Sequence, residues 1–219
     1  MRVVRANFET WRDVVSSLNP GLEVVHNRPD HPSFEGLVDA GFRVAPLGEE
    51  LPPEGVLFLV PSALDELRQL VDRLLGPGGC PWDQEQTHES LKRCLLEEAY
   101  EVLEAIDGGD PAALREELGD LLLQPLMHAQ MEALEGRFDA DEVAKGILAK
   151  LVHRHPHVFA GLEVASSEEV LRNWEAIKAT EKQERTSRLD GVPRHAPSLL
   201  RAHQISRKAA KAGFEWPDL

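Results

Sequence analysis

The chain is poor in cysteine, in aromatic residues and in long apolar runs. Only Cys80 and Cys94 occur among 219 residues, so a disulfide framework is excluded and reduced thiols of a cytoplasmic protein are expected. No stretch approaches the roughly eighteen apolar residues of a membrane span. The opening segment, MRVVRANFETW, has no apolar core of a secretory signal. Aromatics are 5% of residues, too few for a large β-sandwich. Basic residues are outnumbered 24 to 38, giving a formal charge of −14. A body this acidic does not suit non-specific nucleic-acid binding, which needs a basic footprint. A small anionic substrate stays possible if cations or a local basic cluster bridge the repulsion. Apolar residues at 42% and charged residues at 28% are enough for a core and a soluble surface.

Three zones differ in texture. Residues 1–61 hold short strand-like runs, GLEVV and GVLFLV, among many prolines and glycines, and read as a small N-terminal α/β appendage. Residues 62–186 read as helical. Ser62 caps a helix with Asp65 three places on, and Gly76-Pro77-Gly78-Gly79 stops it. After the loop CPWDQEQTH, a helix is expected from about Ser90 to Ile106, closed by Gly108-Gly109. Asp110-Pro111 opens the next, with proline at its first position, running to about Leu134. Another begins near Asp139 with Glu142 as its capping-box partner and ends near His153–Pro156. A further helix spans about 166–185. Residues 187–219 contain a loop and a basic helix from about Pro197 to Ala212. The chain is therefore mainly α, a helical bundle with an α/β appendage.

Two acid-x-x-acid pairs stand out: Glu98 with Glu101, and Glu117 with Asp120. Residues three apart on a helix lie about 60° apart around its axis, on one face. The intervening Gly-Gly-Asp-Pro turn makes the two helices antiparallel neighbours, so the pairs can face each other. Glu98 falls within the apolar stripe Leu91, Leu95, Val102 and Ile106. Glu117 falls within the stripe Leu114, Leu118, Leu121 and Leu122. A charged residue on a core-facing stripe is costly unless compensated, and no Lys or Arg holds a matching inward position. The compensating charge is expected to be a metal ion, and all-oxygen ligands select Mg²⁺ or Mn²⁺. The bland alternative, a Glu-rich solvated face, fits Glu97, Glu104 and Glu116 better. A di-iron bundle wants Glu-x-x-His pairs on two helices; the one such pair, Glu85 with His88, precedes the carboxylate helices. Both helices are also apolar on more than one face (Leu95, Leu96, Val102, Leu103, Leu121, Leu122, Leu123), which calls for a partner on a second side and so for a homodimer.

Gly79-Cys80-Pro81-Trp82-Asp83, Gln86-Thr87-His88 and Ser90-Leu91, followed by the two acid pairs, resemble the MazG family of nucleoside triphosphate pyrophosphohydrolases. Lys150-Leu151, Arg154-His155-Pro156-His157-Val158-Phe159, and Trp174-Glu175 with Ile177-Lys178 and Glu181-Lys182 continue the likeness, which covers about residues 75–186. The resemblance implies an all-α bundle paired into a tight dimer. It also implies Mg²⁺-dependent cleavage of a nucleoside triphosphate into monophosphate and pyrophosphate. On that resemblance the acid motif maps onto Glu97, Glu98, Glu101, Glu117 and Asp120. Glu98, Glu101, Glu117 and Asp120 then hold the metal, and Glu97 orients or deprotonates a water. Lys150, Arg154, Lys178 and Lys182 are expected to clamp phosphates, against the reading of ordinary surface charges. Trp82 is expected to stack on a base or to anchor its turn. His155 and His157 read as helix-end or supporting groups, Cys80 and Cys94 as small packing residues. No nucleic-acid or membrane partner is expected.

Three departures from the family pattern appear. Pro125 sits inside the second acid helix, where proline removes a hydrogen bond and usually kinks. The segments Leu189-Asp190-Gly191-Val192-Pro193, Leu199-Leu200-Arg201-Ala202 and Gly213-Phe214-Glu215-Trp216 resemble the opening of a second MazG copy, yet one acid motif is present. Residues 1–60 lie outside the family core. Related alternatives are a specialist dUTPase-like or phosphoribosyl-ATP pyrophosphohydrolase. An alternative of another class is a non-catalytic helical dimerisation or regulatory module, which the complete acid set disfavours.

Overall fold

The computed structural model describes residues 2–7, 9–19, 22–47, 55–181, 187 and 189–214. The chain forms two compact units, residues 1–144 and 145–219. The first begins with an α/β lobe. Strands β1 (Arg2–Arg5), β2 (Glu23–His26), β3 (Arg43–Pro46) and β4 (Val56–Leu59) make one parallel sheet in the order β1-β4-β2-β3. Helices α1 (Trp11–Ser16) and α2 (Pro32–Asp39) follow β1 and β2. A buried parallel strand needs apolar residues on both faces, and Val24, Val25, Val56 and Phe58 are buried. Leu37 of α2, Val15 of α1 and Phe42 close the core over the sheet. The expected strands GLEVV and GVLFLV became β2 and β4; β1 and β3 were not foreseen.

A polar chain runs through the lobe where β2 ends. The Arg28 N–H donates to His26 Nδ1 at 3.0 Å, so the His26 hydrogen sits on Nε2, 2.7 Å from Ser33 Oγ. Ser33 N–H donates to His31 Nδ1 at 3.1 Å. The His31 hydrogen therefore sits on Nε2, which donates to Glu66 Oε1 at 3.0 Å. Arg28 Nη1 donates to Glu66 Oε2 at 3.0 Å. Glu66 belongs to α3 (Ala63–Leu75), so this network ties the lobe to the first long helix. Ser62 caps α3 as expected, its Oγ accepting from the Asp65 N–H at 3.1 Å.

The turn after α3 depends on glycine. A Cβ on Gly79 would lie 2.2 Å from the Leu74 carbonyl oxygen. After the short α4 (Pro81–Gln84), α5 (Lys92–Gly108) and α6 (Pro111–Leu134) form the most extensively packed pair in the first unit. Gly109 closes α5 at φ +69°, the left-handed conformation that glycine adopts without penalty. Asp110 then accepts from the Ala112 N–H at 2.9 Å to cap α6. Helix α6 continues through Pro125 without a break. Leu91, Val71, Leu75 and Met127 form the core between α3 and this pair. The expected stripe of α6 is only partly inward. Leu118 and Leu122 are exposed, and Gln124, Met127 and Ala129 are buried in their place, so the core-facing strip lies further along the helix than its leucines suggest.

Helix α7 (Ala140–Arg154), within which the division falls, opens with the expected reciprocal box: Glu142 N–H to Asp139 Oδ1 at 2.8 Å, and Asp139 N–H to Glu142 Oε2 at 3.2 Å. The second unit adds α8 (Pro156–Phe159), α9 (Ser167–Thr180) and α10 (Ser198–Lys211). Helix α9 ends at Thr180, with Glu181 in a turn, short of the end expected near 185; residues 182–186 lie outside the described residues. No described helix is long and apolar enough to cross a membrane.

Candidate active site

Helix α5 presents Glu98 and Glu101, and α6 presents Glu117 and Asp120. One ligand oxygen from each of Glu98, Glu101 and Glu117 comes within 4.8 Å of the others. Among the described residues this is the single group of three or more potential ligand side chains so close together. Glu98 and Glu117 are half-buried, Glu101 exposed. The Glu98 carboxyl is pushed above its usual range, first by loss of water and then by the charges of Glu101, Asp120 and Glu117. Glu117 is pushed the same way, by loss of water and then by Glu101, Glu116 and Asp120. Among the described residues, the charges acting on these two groups are all negative. Each also lies within hydrogen-bonding reach of Glu101.

Carboxylates held together against their own repulsion are the donor set of a hard cation, which takes oxygen ligands. The residues present fit such an ion. The arrangement provides carboxylate oxygens from two neighbouring helices, with Glu101 exposed to solvent. Asp120 stands outside the closest three, near enough for its charge to act on both Glu98 and Glu117.

The other expected residues are placed differently. Glu97 points along the exposed side of α5, its Oε1 2.7 Å from Arg93 Nε. Trp82 of α4 is 62% exposed. In the second unit, Arg154 Nε lies 3.1 Å from Glu181 Oε2. The Arg154 guanidinium and Lys178 Nζ sit over the Trp174 ring at 5.3 and 4.4 Å from its centre. The Lys150 charge also acts on Glu181. Arg154 and Lys178 thus share one aromatic ring, and Arg154 and Lys150 act on one carboxylate. Lys182 lies outside the described residues. His155 Nδ1 is 2.6 Å from the Leu151 carbonyl oxygen, a helix-end role.

Two features escaped sequence reasoning. His88 Nδ1 lies 2.7 Å from His128 Nδ1, and His88 Nε2 lies 2.5 Å from Glu132 Oε1. Arg137 Nη2 donates to the same Glu132 at 2.9 Å, and these hydrogen bonds hold the Glu132 carboxyl down at about 2. This cluster fastens the loop before α5 onto α6. The partners are 40 and 44 residues apart, and no local spacing announces them. The second feature is Gln124, buried with its Oε1 unpartnered; its one sequence signal is its place on the strip of Glu117 and Asp120.

Residues 86–159 match the MazG nucleotide pyrophosphohydrolase domain. The chain is 46% identical over 161 residues to the nucleoside triphosphate pyrophosphohydrolase of Escherichia coli K12, covering 72% of this chain and 61% of that protein. It is 39% identical over 188 residues to an uncharacterized 26.1 kDa protein of Streptomyces cacaoi, covering 82% of this chain and 76% of that one. The crystal structure of a mazG-related protein from Thermotoga maritima aligns at 32% identity over 52% of this chain and 98% of that chain, with a TM-score of 0.45. The chain thus spans less than two thirds of the length of the Escherichia coli relative.

Proposed function

The chain belongs to the MazG family, and from that premise we propose that it hydrolyses nucleoside triphosphates between the α and β phosphates, yielding a nucleoside monophosphate and pyrophosphate. One observation carries this reading. Glu98, Glu101 and Glu117 crowd together, and among the described residues the charges that act on Glu98 and Glu117 are all acidic. Such a set repels a triphosphate unless a divalent ion stands between them. Mg²⁺ is the ion we assign, held by Glu98, Glu101, Glu117 and Asp120, with Mn²⁺ as a substitute. When bound, it neutralises phosphate charge and acidifies water.

The remaining work falls to side chains. Glu97, at the exposed edge of the same helix, takes the proton from the attacking water. Trp82, largely exposed, stacks on a base. Lys150, Arg154, Lys178 and Lys182 bind phosphate oxygens; Arg154 and Lys178 over one Trp174 ring, and the charge of Lys150 reaching the Glu181 that pairs with Arg154, support placing the first three together. The exposed Leu96, Leu103 and Ile106 of α5 and Leu118 and Leu122 of α6 support a homodimer through these helices. The setting is the cytoplasm, where the thiols of Cys80 and Cys94 stay reduced and nucleotides and Mg²⁺ coexist.

Glu98→Gln and Asp120→Asn test the metal role. Both variants should lose turnover while melting in EDTA no earlier than the wild type, because neutralising one of several repelling carboxylates relieves the empty site. Mg²⁺ should raise the wild-type melting temperature by mass action, and raise each variant's less. If these residues were instead halves of buried ion pairs, their loss would cost about 3–5 kcal/mol. Variants that melt much earlier in EDTA, or that keep full turnover, refute the assignment.

A further inference from the structure

Gln124 is 6% exposed, and its Oε1 is the sole buried side-chain polar atom without a hydrogen-bond partner among the described residues. The other buried polar side chains are satisfied: His26, His31 and Ser33 bond one another. A buried acceptor with no donor is expensive to keep, so an orphan asks what donor it awaits.

Its place on α6 narrows the answer. At 100° per residue, Gln124 lies about 20° around the helix from Glu117 and about 40° from Asp120, one turn beyond the latter. It continues their strip. Helical side chains lean toward the helix N-terminus, here toward Asp120. Further along the helix, Met127 is buried in the apolar core with Leu91 and Val71, and Met131 packs against it. Gln124 is therefore the polar step between that core and the acid cluster.

The chemistry selects the donor. Ionised carboxylates only accept, so the acid cluster cannot satisfy an amide oxygen. A hydrated divalent cation can: Mg²⁺ keeps several of its waters in a protein site. Each such water commits a lone pair to the ion and turns its hydrogens outward. An amide accepts one of them without adding a further negative charge to the crowded acids. We infer that Gln124 is a positioning residue for the cation in the acid cluster, its Oε1 accepting a hydrogen bond from a water of the ion's hydration shell. The inference rests on the metal-dependent reading above.

The test compares wild type, Gln124→Met and Gln124→Glu. It uses melting in EDTA, Mg²⁺ titration calorimetry without nucleotide, and turnover. Methionine keeps the volume and removes the orphan. Gln124→Met should melt later than wild type in EDTA, bind Mg²⁺ about 10- to 100-fold more weakly, the usual cost of losing such a supporting contact, and lose kcat with KM little changed. Gln124→Glu keeps an acceptor and adds charge, so it should melt earlier in EDTA yet hold Mg²⁺ within a few-fold of wild type. Wild-type Mg²⁺ affinity and kcat in Gln124→Met would overturn the inference and leave the metal site standing. Lost Mg²⁺ affinity in a folded Gln124→Glu would overturn it as well, and this arm decides alone if the methionine variant does not fold. A wild type that binds no Mg²⁺ brings down the metal-dependent reading itself.

Discussion

Acid should loosen the α/β lobe through one side chain, His26. The ring is fully buried, and both nitrogens are engaged as a neutral imidazole, Nδ1 accepting from the Arg28 N–H and Nε2 bonded to Ser33. A second proton would set N–H against N–H. Burial, then the nearby His31 and Arg28, lower the His26 pKa from 6.5 to about 4, with Asp30 opposing weakly. Glu66, bonded to His31 and Arg28, completes the charged surroundings. The unfolded chain titrates this histidine at its ordinary value, so between pH 6.5 and 4 the unfolded state binds more protons than the folded one. Stability therefore falls as pH falls through that window, and the His26 contribution levels off below about pH 4. At about 1.4 kcal/mol for each pH unit, the 2.5-unit gap amounts to about 3 kcal/mol. Urea unfolding of wild type and His26→Gln at pH 7, 6, 5 and 4, followed by tryptophan fluorescence, isolates the term. The variant loses the network at neutral pH but has no proton to take up in the window. The stability gap between the two should shrink by about 3 kcal/mol on going from pH 7 to pH 4. A gap that stays constant with pH refutes the reasoning.

Gly79→Ala should destabilise the first unit by about 1–3 kcal/mol in urea titration, since its Cβ would meet two backbone carbonyl oxygens, those of Leu74 and Arg73, at 2.2 and 2.4 Å. Gly108→Ala, with open space around the added carbon, should be neutral or stabilise by up to about 1 kcal/mol. Light scattering at micromolar concentration should give a dimer, and Leu96→Glu or Leu118→Glu should shift it to monomer; a monomeric wild type contradicts the dimer.

Helix ends were legible because their signals are local. The Ser62 cap, the Asp139–Glu142 box, Pro111 after its Asp110 cap and left-handed Gly109 each involve side chains within a few residues of the backbone they satisfy. The acid pairs were legible for the same reason: a spacing of three fixes a shared face whatever the helix packs against. What periodicity leaves open is which of two apolar faces the core takes. Leu118 and Leu122 looked inward by spacing, yet the buried strip of α6 runs through Gln124 and Met127. Long-range partners left no trace in sequence. The His88–His128–Glu132 cluster and the His26–Ser33–His31–Glu66 chain depend on loops and helices brought together by packing. The sheet order β1-β4-β2-β3 likewise pairs β1 with the last strand rather than the next, which four-residue strands of such mixed composition do not encode.

Phosphorus NMR of ATP incubated with the protein and Mg²⁺ distinguishes metal-dependent cleavage between the α and β phosphates from cleavage at the γ phosphate. AMP and pyrophosphate should be the products, with no turnover once EDTA is added. ADP with orthophosphate, or turnover that survives EDTA, would contradict metal-dependent α–β cleavage.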